Sequence, residues 1–509
     1  MIPVSVLLPL PLAGPLTYLC PEDLSPRTGD YVLVPFRNQQ KTGVIWDFPE
    51  DTDISREKLK DVIDKTDLPP MPEIQRQFID WIASYTLSKK GSVLKLSISV
   101  PDAFDPPKPN IGYRLKKDAD REGLTDKQNH VLNTISDGLI RKQSEIMSEA
   151  GVSSSVIKSL IEKKKLEEKE LFPRAPCKDP SLGEAGPTLS EAQKDAADQI
   201  CESITGNKPA TFLLDGVTGA GKTEVYFDAV AAALKKGRQV LILLPEIALS
   251  NAFLKRFRER FGCDPALWHS ALSPARRRLT WRSVAKGHTK VVVGARSALM
   301  LPFSELGFII VDEEHDPAFK QEEGVLYNAR DMAVLRAFKG AFPVVLVSAT
   351  PSLETICNCW AGRYVQLHLP DRHGGAEMPE IHLIDLREDK PDRQNFISPS
   401  LHKALEKNLQ GKTQSLLFLN RRGYAPLTLC RSCGYRFECP RCTAWLVEHR
   451  WKDSLSCHHC GYTTPVPAKC PSCEDEGSLA ACGPGVERIV EEVKHNFPEA
   501  RLLVLSSDT

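Results

Sequence analysis

One glycine-rich segment constrains the fold more than any other feature of the chain. It fits the pattern G-x-x-x-x-G-K-[ST] and consists of Gly216, Val217, Thr218, Gly219, Ala220, Gly221, Lys222 and Thr223. An apolar run at residues 210–214 precedes it and a helical pattern follows it, which is the strand-to-helix context that this motif requires. Strands that alternate with helices over residues 188–370 predict a parallel α/β sheet.

The chemistry of this segment follows from its context. Backbone amides in the turn and at the N-terminus of the helix can surround phosphate groups. Lys222 can reach the terminal phosphates, and the hydroxyl of Thr223 can bind Mg²⁺. We therefore predict that residues 216–223 bind ATP. A chance match is the less favoured alternative, because strand, loop and helix agree.

An acidic run follows a second predicted strand. The strand comprises residues 308–311, and Asp312 and Glu313 come directly after it. A carboxylate at a strand end beside a phosphate loop can hold Mg²⁺, and the next one can orient the attacking water. We predict these catalytic roles for Asp312 and Glu313, together with Lys222; a solvated acidic loop is the less favoured interpretation. A further strand leads into a hydroxyl-rich turn at residues 348–351, which can couple the nucleotide state to a bound strand.

Eight cysteines form four Cys-x-x-Cys pairs in the C-terminal part of the sequence. The pairs are Cys430 and Cys433, Cys439 and Cys442, Cys457 and Cys460, and Cys470 and Cys473. Eight thiolates at this spacing suffice for two tetrahedral zinc sites, and a site closed by four sulfurs is structural because no position is left for water. The spacing permits sequential or nested grouping equally. We predict exposed imidazoles at His458 and His459, since the cysteines already satisfy two metals.

The composition is that of an ordinary soluble protein. The 509 residues predict about three to four domains, and no run of about 18 apolar residues is present that could span a bilayer. Residues 1–19 are apolar but contain prolines and lack a basic leading segment, so we predict a cytoplasmic protein. A reducing compartment favours metal over disulfides at the paired thiols, and other cysteines, such as Cys20 and Cys263, are predicted to be buried or incidental.

The formal net charge gives no indication of a polyanionic partner. Lysine and arginine together number 66, as do aspartate and glutamate, so the net charge is zero. Local basic segments at residues 276–278 and 421–422 can still contact phosphates.

The first part of the chain divides into two predicted modules. Residues 2–100 alternate short β-rich runs with turns and end in a helical stretch at about residues 78–85, which predicts a mostly β domain. The following segment has helical apolar spacing and a tight turn at Gly151, which favours a winged-helix domain over residues 110–173. A three-helix spacer without DNA contact is an equally weighted alternative.

Several short motifs follow one another in a fixed order along the chain. In the motor region they lie at residues 216–223, 244–247, 294–297, 312–316, 348–351 and 419–423, followed by the four cysteine pairs. In the first module they lie at residues 10–12, 18–19, 34–36 and 43–44. Together these residues resemble the PriA family of primosomal replication-restart helicases, and the resemblance covers nearly the whole chain.

The resemblance implies a multidomain α/β architecture. Its expected parts are a DNA 3′-end-binding domain at 1–105, a winged-helix domain at 110–173, a RecA-like helicase lobe at 188–370, a two-zinc insert at 430–473 and a partial second helicase lobe at 371–429 and 474–509. It also implies nested zinc sites. One would contain Cys430, Cys433, Cys470 and Cys473, and the other Cys439, Cys442, Cys457 and Cys460.

The resemblance implies an activity as well. The expected protein is a superfamily-2 motor that hydrolyses ATP with Mg²⁺ and unwinds DNA from 3′ to 5′. It would recognise stalled or abandoned forks through branched and single-stranded DNA. It would reload the replicative helicase with primosome proteins and single-stranded-DNA-binding protein. A monomer in the bacterial cytoplasm, associated with the nucleoid at forks and without a membrane partner, is expected.

Two segments depart from the family pattern. Leu16, Thr17 and Arg37 replace the residues usual in the pocket for a DNA 3′ end, although Lys60 matches. An aromatic-rich loop implied to sense single strands is only partly retained. The residues that remain are Phe319, residues 324–327 and Arg330. Loss of a stacking platform costs about 1–3 kcal/mol per base, so we expect weaker coupling of DNA binding to hydrolysis.

The end of the sequence departs most from the pattern. It stops at Thr509, soon after Cys473, and two later helicase motifs have no counterpart. One of them supplies an arginine finger, which contributes about 10³ to 10⁵ in rate, so we expect this chain alone to hydrolyse ATP poorly. The alternative function is a truncated, helicase-deficient scaffold that binds forks. A third explanation is an incomplete sequence.

Overall fold

The computed structural model describes most of the chain. The described residues are 1–50, 55–106, 109–116, 119–171, 175–183, 186–245, 251–372, 379–391, 395–419, 427–430, 432–442, 444–449, 454–457, 459–476, 479–482 and 486–505. They cluster into two compact units, Met1–Glu377 and Met378–Thr509, each of which is described by itself. No helix in these ranges is both long and apolar enough to cross a membrane.

The N-terminal module is an antiparallel sheet with two helices. Its elements are β1 (Ile2–Leu7), β2 (Leu16–Cys20), β3 (Tyr31–Phe36), β4 (Gln39–Asp47), β5 (Asp64–Lys65), α1 (Glu73–Tyr85) and α2 (Lys90–Ser97). The strand order is β2-β1-β4-β3-β5. Successive side chains of β3 point to opposite faces of the sheet. Val32 and Val34 pack in the core on one face, and Tyr31 packs in the core on the other face, which contains residues of α1 and α2. The mostly β character predicted for this region, with a helix at its end, is confirmed.

A second antiparallel sheet carries a helix-turn-helix. The elements are β6 (Asn110–Leu115), α3 (Asp126–Thr134), β7 (Arg141–Lys142), α4 (Gln143–Ala150), α5 (Ser154–Glu162) and β8 (Leu166–Leu171), with strand order β7-β6-β8. Gly151 ends α4 with φ +63°, a conformation that glycine adopts without strain. Val131, Ile146 and Ile157 join the helices in one core. The alternative of a three-helix spacer does not account for this sheet. DNA contact by this unit stays a prediction.

A parallel sheet forms the centre of the larger unit. Its strands are β9 (Thr211–Gly216), β10 (Gln239–Leu243), β11 (Ala266–Trp268), β12 (Val291–Gly294), β13 (Leu306–Asp312), β14 (Val344–Ser348) and β15 (Val365–Leu369), in the order β11-β12-β10-β13-β14-β9-β15. The helices are α6 (Glu191–Thr205), α7 (Lys222–Lys235), α8 (Asn251–Phe261), α9 (Pro274–Ala285), α10 (Ala329–Gly340) and α11 (Leu353–Trp360). The parallel α/β sheet predicted from the sequence is confirmed. Both faces are buried, which is why the strands read as continuous apolar runs.

The N-terminal module and the parallel sheet share one hydrophobic core. Trp281 of α9 is fully buried and donates its indole N–H to the carbonyl of Ser97 at 2.8 Å. The neighbouring Arg282 binds the carboxylate of Asp67 at 2.7 Å. The side chain of Gln75 on α1 donates to the carbonyl of Met300 at 3.2 Å. Regions that the sequence predicts as separate domains, 1–105 and 188–370, are therefore joined by buried polar and apolar contacts.

The C-terminal unit consists of short strands and two amphipathic helices. Its elements are α12 (Pro399–Gln410), β16 (Leu427–Cys430), β17 (Val447–His449), β18 (Ser454–Ser456), β19 (Thr463–Pro465), β20 (Leu479–Cys482) and α13 (Val486–Asn496). Strands β16 and β20 pair antiparallel, and β18 lies between β17 and β19. Val493 and Phe497 pack with Ile397, and Glu492 accepts hydrogen bonds from the backbone of residues 396–397.

Candidate nucleotide site and cysteine centres

The phosphate-loop segment connects β9 to α7, as the sequence predicts. Gly219 and Gly221 have φ values of +85° and +76°, which a residue with a Cβ adopts only with strain. Gly216 needs its small size for another reason, since a Cβ there would lie 2.8 Å from the Cβ of Leu369. These glycines allow the chain to turn tightly between a buried strand and the N-terminus of a helix. A tight glycine turn at a helix N-terminus is the kind of segment that can present backbone amides to an anion.

Lys222 begins helix α7 and turns back over the loop. Its Nζ donates to the carbonyl of Gly216 at 2.6 Å and to that of Val217 at 3.2 Å. Burial lowers the pKa of Lys222, and the nearby carboxylates of Glu313 and Asp312 oppose that shift. The ammonium group thus sits within the loop, where a phosphate oxygen can replace the carbonyls as its acceptor.

Asp312 lies at the end of β13 and faces the same loop. The hydroxyl of Tyr226 donates to its Oδ2 at 2.9 Å, and the backbone N–H of Glu313 donates to its Oδ1 at 3.0 Å. Burial raises the pKa of Asp312 to about 6, although the hydrogen bond from Tyr226 opposes the rise. A partly desolvated carboxylate in this position can gain a divalent cation with little loss of hydration.

Glu313 adopts a left-handed backbone conformation. Its φ is +53°, which is uncommon for a residue with a side chain and costs about 1 kcal/mol or more. The side chain is partly exposed, and its Oε2 lies 3.6 Å from Nδ1 of His315. The carboxylate of Glu313 is open to solvent, and its charge opposes the lowering of the pKa of Lys222 by burial, which suits the predicted role of orienting water.

Two buried polar residues of this site were not identified from the sequence. Gln193 on α6 donates its side-chain amide to the carbonyl of Ala220 at 2.8 Å, and Ser190 and Gln193 form a capping box. Tyr226 follows Lys222 by four residues on α7 and therefore shares its helix face. The S-x-x-Q spacing and the i, i+4 spacing are signals in the sequence that could have indicated both.

Glu314 connects the acidic run to the segment beyond the hydroxyl-rich turn. Its fully buried carboxylate accepts from the backbone N–H of Ser352 at 2.7 Å and from the hydroxyl of Thr355 at 3.0 Å. The guanidinium of Arg330 on α10 reaches the same carboxylate at 3.2 Å. Glu314 therefore links the acidic run directly to the start of α11, because Ser352 caps that helix.

The turn itself is bound to the acidic run by a second contact. The hydroxyl of Ser348 lies 2.8 Å from Nδ1 of His315, and it also accepts from the backbone N–H of Thr350 at 3.0 Å. Ser348 is fully buried. The turn predicted to couple nucleotide state to a bound strand is thus in direct contact with the residues that follow Asp312.

The retained residues Phe319, Val325 and Tyr327 do not form an exposed stacking platform, which agrees with the expected loss of that platform; weaker coupling of DNA binding to hydrolysis stays a prediction. Phe319 and Tyr327 are only 1% and 4% exposed and belong to the hydrophobic core, as does Val325. Arg330 is committed to Glu314 and Asp331. The backbone explains the burial: residues 320 and 328 form a β-bridge that folds the loop back onto the lobe. These side chains stabilise the lobe instead of receiving bases.

The predicted DNA-contacting residues have mixed surroundings. Arg278 donates to the carbonyls of Asp105 and Pro106 at 3.1 and 2.8 Å, so its guanidinium fixes the end of the N-terminal module. Arg277 stacks on Trp268 at 5.1 Å. Of the arginines at 276–278, Arg276 is exposed, so the prediction of phosphate contact fits this residue best. Residues 246–247, 420–423 and 458, which carry other predictions, lie outside the described residues.

The predicted 3′-end pocket lies in the N-terminal sheet. The hydroxyl of Tyr18 donates to the carbonyl of Pro35 at 3.2 Å, linking β2 to the end of β3. Arg37 follows in a left-handed turn, with its guanidinium 5.5 Å from the ring of Phe36. The exposed Lys60 runs beside β2, where its carbonyl accepts from the backbone N–H of residue 19 at 3.0 Å. Leu16 and Thr17 lie on that same strand.

The cysteine sulfurs converge in two groups among the described residues. One contains Cys430, Cys433, Cys470 and Cys473, and the other contains Cys439, Cys442, Cys457 and Cys460. Within each group all ligand atoms lie within 4.8 Å of one another. This is the nested grouping that the family resemblance implied, whereas the spacing had left sequential grouping open.

The distances between sulfurs fit a metal better than a disulfide. Cys430 and Cys473 are 3.6 Å apart, and Cys442 and Cys457 are 3.3 Å apart, against about 2.05 Å for a bonded pair. Tetrahedral zinc with Zn–S bonds of about 2.3 Å places sulfurs about 3.8 Å apart. Four converging sulfurs leave no open ligand position, so either group can hold a structural metal ion.

The backbone around the cysteines is shaped as a set of tight turns. The N–H of Gly434 donates to the carbonyl of Cys430 at 2.9 Å, and the N–H of Gly461 donates in the same way to that of Cys457. Both glycines have positive φ, at +75° and +73°. The backbone N–H of Arg441 points at the sulfur of Cys439 at 3.4 Å, a contact that stabilises a thiolate. His459 is exposed, as predicted.

Three family models match separate parts of the chain. Residues 5–99 match the 3′ DNA-binding domain (3′BD) of PriA, and residues 190–358 match the DEAD/DEAH box helicase. Residues 439–465 match the Cys-rich region (CRR) domain of the PriA DNA helicase. The three matches follow the order of the N-terminal sheet, the parallel sheet and the cysteine groups.

Whole-chain relatives agree with these matches. The chain is 39% identical over 506 residues to the replication restart protein PriA of Rickettsia felis, covering 99% of this chain and 67% of that protein. It is 34% identical over 518 residues to PriA of Haemophilus influenzae, covering 99% and 70%. For PriA of Bacillus subtilis the values are 38% over 384 residues, covering 75% and 48%. The chain spans about two thirds of the length of the first two relatives.

Proposed function

Because this chain belongs to the PriA family of replication restart proteins, we propose that it recognises stalled or abandoned replication forks and restarts replication there. It unwinds DNA from 3′ to 5′ with ATP hydrolysis and promotes reloading of the replicative helicase. Family membership supports the role in restart, and the match of residues 190–358 to DEAD/DEAH box helicases supports the motor activity. None of the comparisons favours the helicase-deficient scaffold.

One observation carries the proposal for ATP. Asp312 and the phosphate loop come from strands that β14 separates, yet the hydroxyl of Tyr226 on α7 reaches Asp312 at 2.9 Å. The carboxylate at the strand end therefore lies beside the helix that follows the loop. This is the arrangement in which a nucleoside triphosphate and its metal bind together.

Each residue of the site then has a defined task. The backbone amides of residues 216–221 and the N-terminus of α7 bind the phosphates, and Lys222 moves its Nζ from the carbonyls of the loop to the terminal phosphate. Thr223 and Asp312 supply a hydroxyl and a carboxylate, oxygen donors that suit Mg²⁺. Bound Mg²⁺ neutralises charge on the phosphates. Glu313 accepts a hydrogen bond from the attacking water and orients it.

The cysteine groups hold two zinc ions in this proposal. Four thiolates in a closed tetrahedron suit zinc, and the match to the Cys-rich region of the PriA DNA helicase supports the assignment. The ions are structural because the sulfurs occupy every ligand position. They replace the apolar core that so short a segment cannot supply.

The proposed partners follow from family membership. They are branched and single-stranded DNA, single-stranded-DNA-binding protein, and the primosome proteins that load the replicative helicase. The match of residues 5–99 to a 3′ DNA-binding domain supports DNA contact by the N-terminal module. We place the protein as a monomer at forks in the bacterial cytoplasm.

Fork-stimulated ATP hydrolysis by the purified protein tests the proposal. The wild type and a Lys194→Ala control, altered at an exposed lysine on α6, should hydrolyse ATP faster when a fork with a 3′ end at its branch is added. Lys222→Ala should lose hydrolysis by at least about a hundredfold, since the phosphates lose their charge-assisted contact. Hydrolysis by Lys222→Ala at the wild-type rate would contradict the assignment of the site.

A further inference from the structure

Tyr226 contacts Asp312, one of the two residues assigned to Mg²⁺, and lies on the same helix as the other, Thr223. It is fully buried on α7, and its hydroxyl donates to Oδ2 of Asp312 at 2.9 Å. A buried tyrosine hydroxyl needs a partner, and the carboxylate that supplies it here belongs to the proposed metal site. The match to a family model does not account for this contact.

The ring of Tyr226 cannot move away from this position without disturbing the core. It packs edge-to-face on Phe227 at 5.4 Å between centroids, and Phe227 in turn contacts Phe253 and Phe257. Burial raises the pKa of Tyr226 well above its ordinary value, so the hydroxyl keeps its proton and remains a donor. The direction of the hydrogen bond to Asp312 is therefore fixed.

The carboxylate of Asp312 is oriented at both of its oxygens. Oδ2 accepts from Tyr226 and Oδ1 accepts from the backbone N–H of Glu313 at 3.0 Å. Each oxygen keeps a further lone pair for a cation. Without the tyrosine hydroxyl, the carboxylate would be held at one oxygen only and could rotate about its χ2 bond.

We propose that Tyr226 is a positioning residue that holds the Asp312 carboxylate in the orientation required to bind Mg²⁺ with a nucleotide. This inference rests on the proposed function, because it concerns the metal of the same site. Groups that orient metal ligands typically change metal affinity by about 10- to 100-fold when they are removed. Tyr226 would act in this way without touching the metal or the nucleotide.

The test measures nucleotide binding and does not depend on turnover. A fluorescent ADP is titrated into the wild type and into Tyr226→Phe at several Mg²⁺ concentrations. The variant should need about tenfold more Mg²⁺ to reach half of the Mg²⁺-dependent gain in ADP affinity. Its ADP affinity without Mg²⁺ should stay within about twofold of the wild type, because the loop and Lys222 are unchanged. Binding of ADP to Tyr226→Phe without Mg²⁺ also shows that the lobe of the variant is folded.

Tyr327→Phe is the matched control. Tyr327 is a buried tyrosine of the same lobe, and its hydroxyl has no hydrogen-bond partner among the described residues. Removing that hydroxyl should leave the Mg²⁺ dependence unchanged. In an Asp312→Asn background, Tyr226→Phe should add little further loss, since both changes act on one ligand.

The outcomes separate this inference from the proposed function. If the wild type shows no Mg²⁺-dependent gain in ADP affinity, the proposed site fails and the inference fails with it. If the wild type shows the gain and Tyr226→Phe shows the same Mg²⁺ dependence, the site stands and the positioning role is overturned. A loss of Mg²⁺-free binding equal to the loss with Mg²⁺ would also overturn it, because Tyr226 would then act on the lobe as a whole.

Discussion

The nucleotide lobe, residues 188–370, and the cysteine region, residues 430–473, hold their functional groups by different means. In the lobe, strands such as β13 are buried on both faces, and the site lies where they end. Among the described residues of the cysteine region, the buried core comprises Phe437, Leu446 and Leu455 beside the cysteines. Packing can orient the groups of the lobe before any ligand binds, whereas a core as small as that of the cysteine region would need the proposed zinc ions to hold it.

Removal of a zinc ligand should show the difference between the two regions most clearly. Cys457→Ser should release one of two zinc ions and unfold the surrounding strands, because structural zinc contributes about 10–16 kcal/mol in small domains. Mg²⁺-dependent ADP binding by the lobe should persist. Zinc content can be measured with a chromogenic chelator, and Cys357→Ser, at an exposed cysteine, is the control. Retention of both ions by Cys457→Ser would refute the metal assignment.

The next largest effect is expected at the buried ion pair of the lobe. Glu314→Ala leaves the buried guanidinium of Arg330 with Asp331 but without Glu314. It also removes the acceptor of Ser352 and Thr355. These losses should lower the free energy of unfolding by about 3–5 kcal/mol. Urea denaturation of the lobe measures this change, with the exposed Glu322→Ala as the control. A loss similar to that of the control would mean that the lobe does not depend on this network.

The pH dependence of stability offers a smaller test of how burial tunes the site. The pKa of Asp312 is raised to about 6, so its protonated form is favoured in the folded lobe. Its stabilising contribution is complete below the ordinary pKa and is lost as the pH rises through about 6. Asp312→Asn removes that loss and should stabilise the nucleotide-free lobe by about 1–2 kcal/mol at pH 8.

The same change should have almost no effect on stability near pH 4, where Asp312 is protonated in the folded lobe. Urea denaturation at the two pH values measures the difference, and Asp198→Asn, at an exposed position, controls for surface charge. Equal stabilisation at both pH values would show that burial of Asp312 is not the cause.

A matched pair of glycine substitutions compares local strain in the two regions. Gly219 and Gly434 have φ values of +85° and +75°, and an added Cβ would meet nothing within 4 Å at either position. Alanine should therefore cost about 1 kcal/mol of backbone strain at each. We expect roughly a fivefold loss of ADP affinity for Gly219→Ala and a similar loss of zinc affinity for Gly434→Ala. An unchanged ADP affinity in Gly219→Ala would show that the loop conformation is not needed for binding.

The functional residues that belong to short local motifs could be predicted from the sequence. The strand-loop-helix at residues 216–223, the strand end at Asp312 and the cysteine pairs each lie within a few residues, so spacing alone indicated them. The grouping of the cysteines could not be derived from spacing. It depends on how β16 and β20 pair, and those strands are far apart in sequence.

The contacts that orient these groups could not be predicted. Tyr226 and Asp312 are 86 residues apart, and Glu314 and Ser352 are 38 apart, so their hydrogen bonds follow from the sheet order and not from a motif. The burial of Phe319 could not be predicted for a related reason. An aromatic residue in a loop suggests exposure, but a β-bridge between residues 320 and 328 folds that loop into the core.

Strand separation on a labelled fork is the most direct test of the central claim that the phosphate-loop lobe drives a restart helicase. The wild type and Lys194→Ala should separate the strands in an ATP-dependent manner, and Lys222→Ala should bind the fork without separating it. Fork binding by the wild type with no ATP-dependent separation would contradict the claim and would favour a scaffold. Separation that persists in Lys222→Ala would contradict it as well.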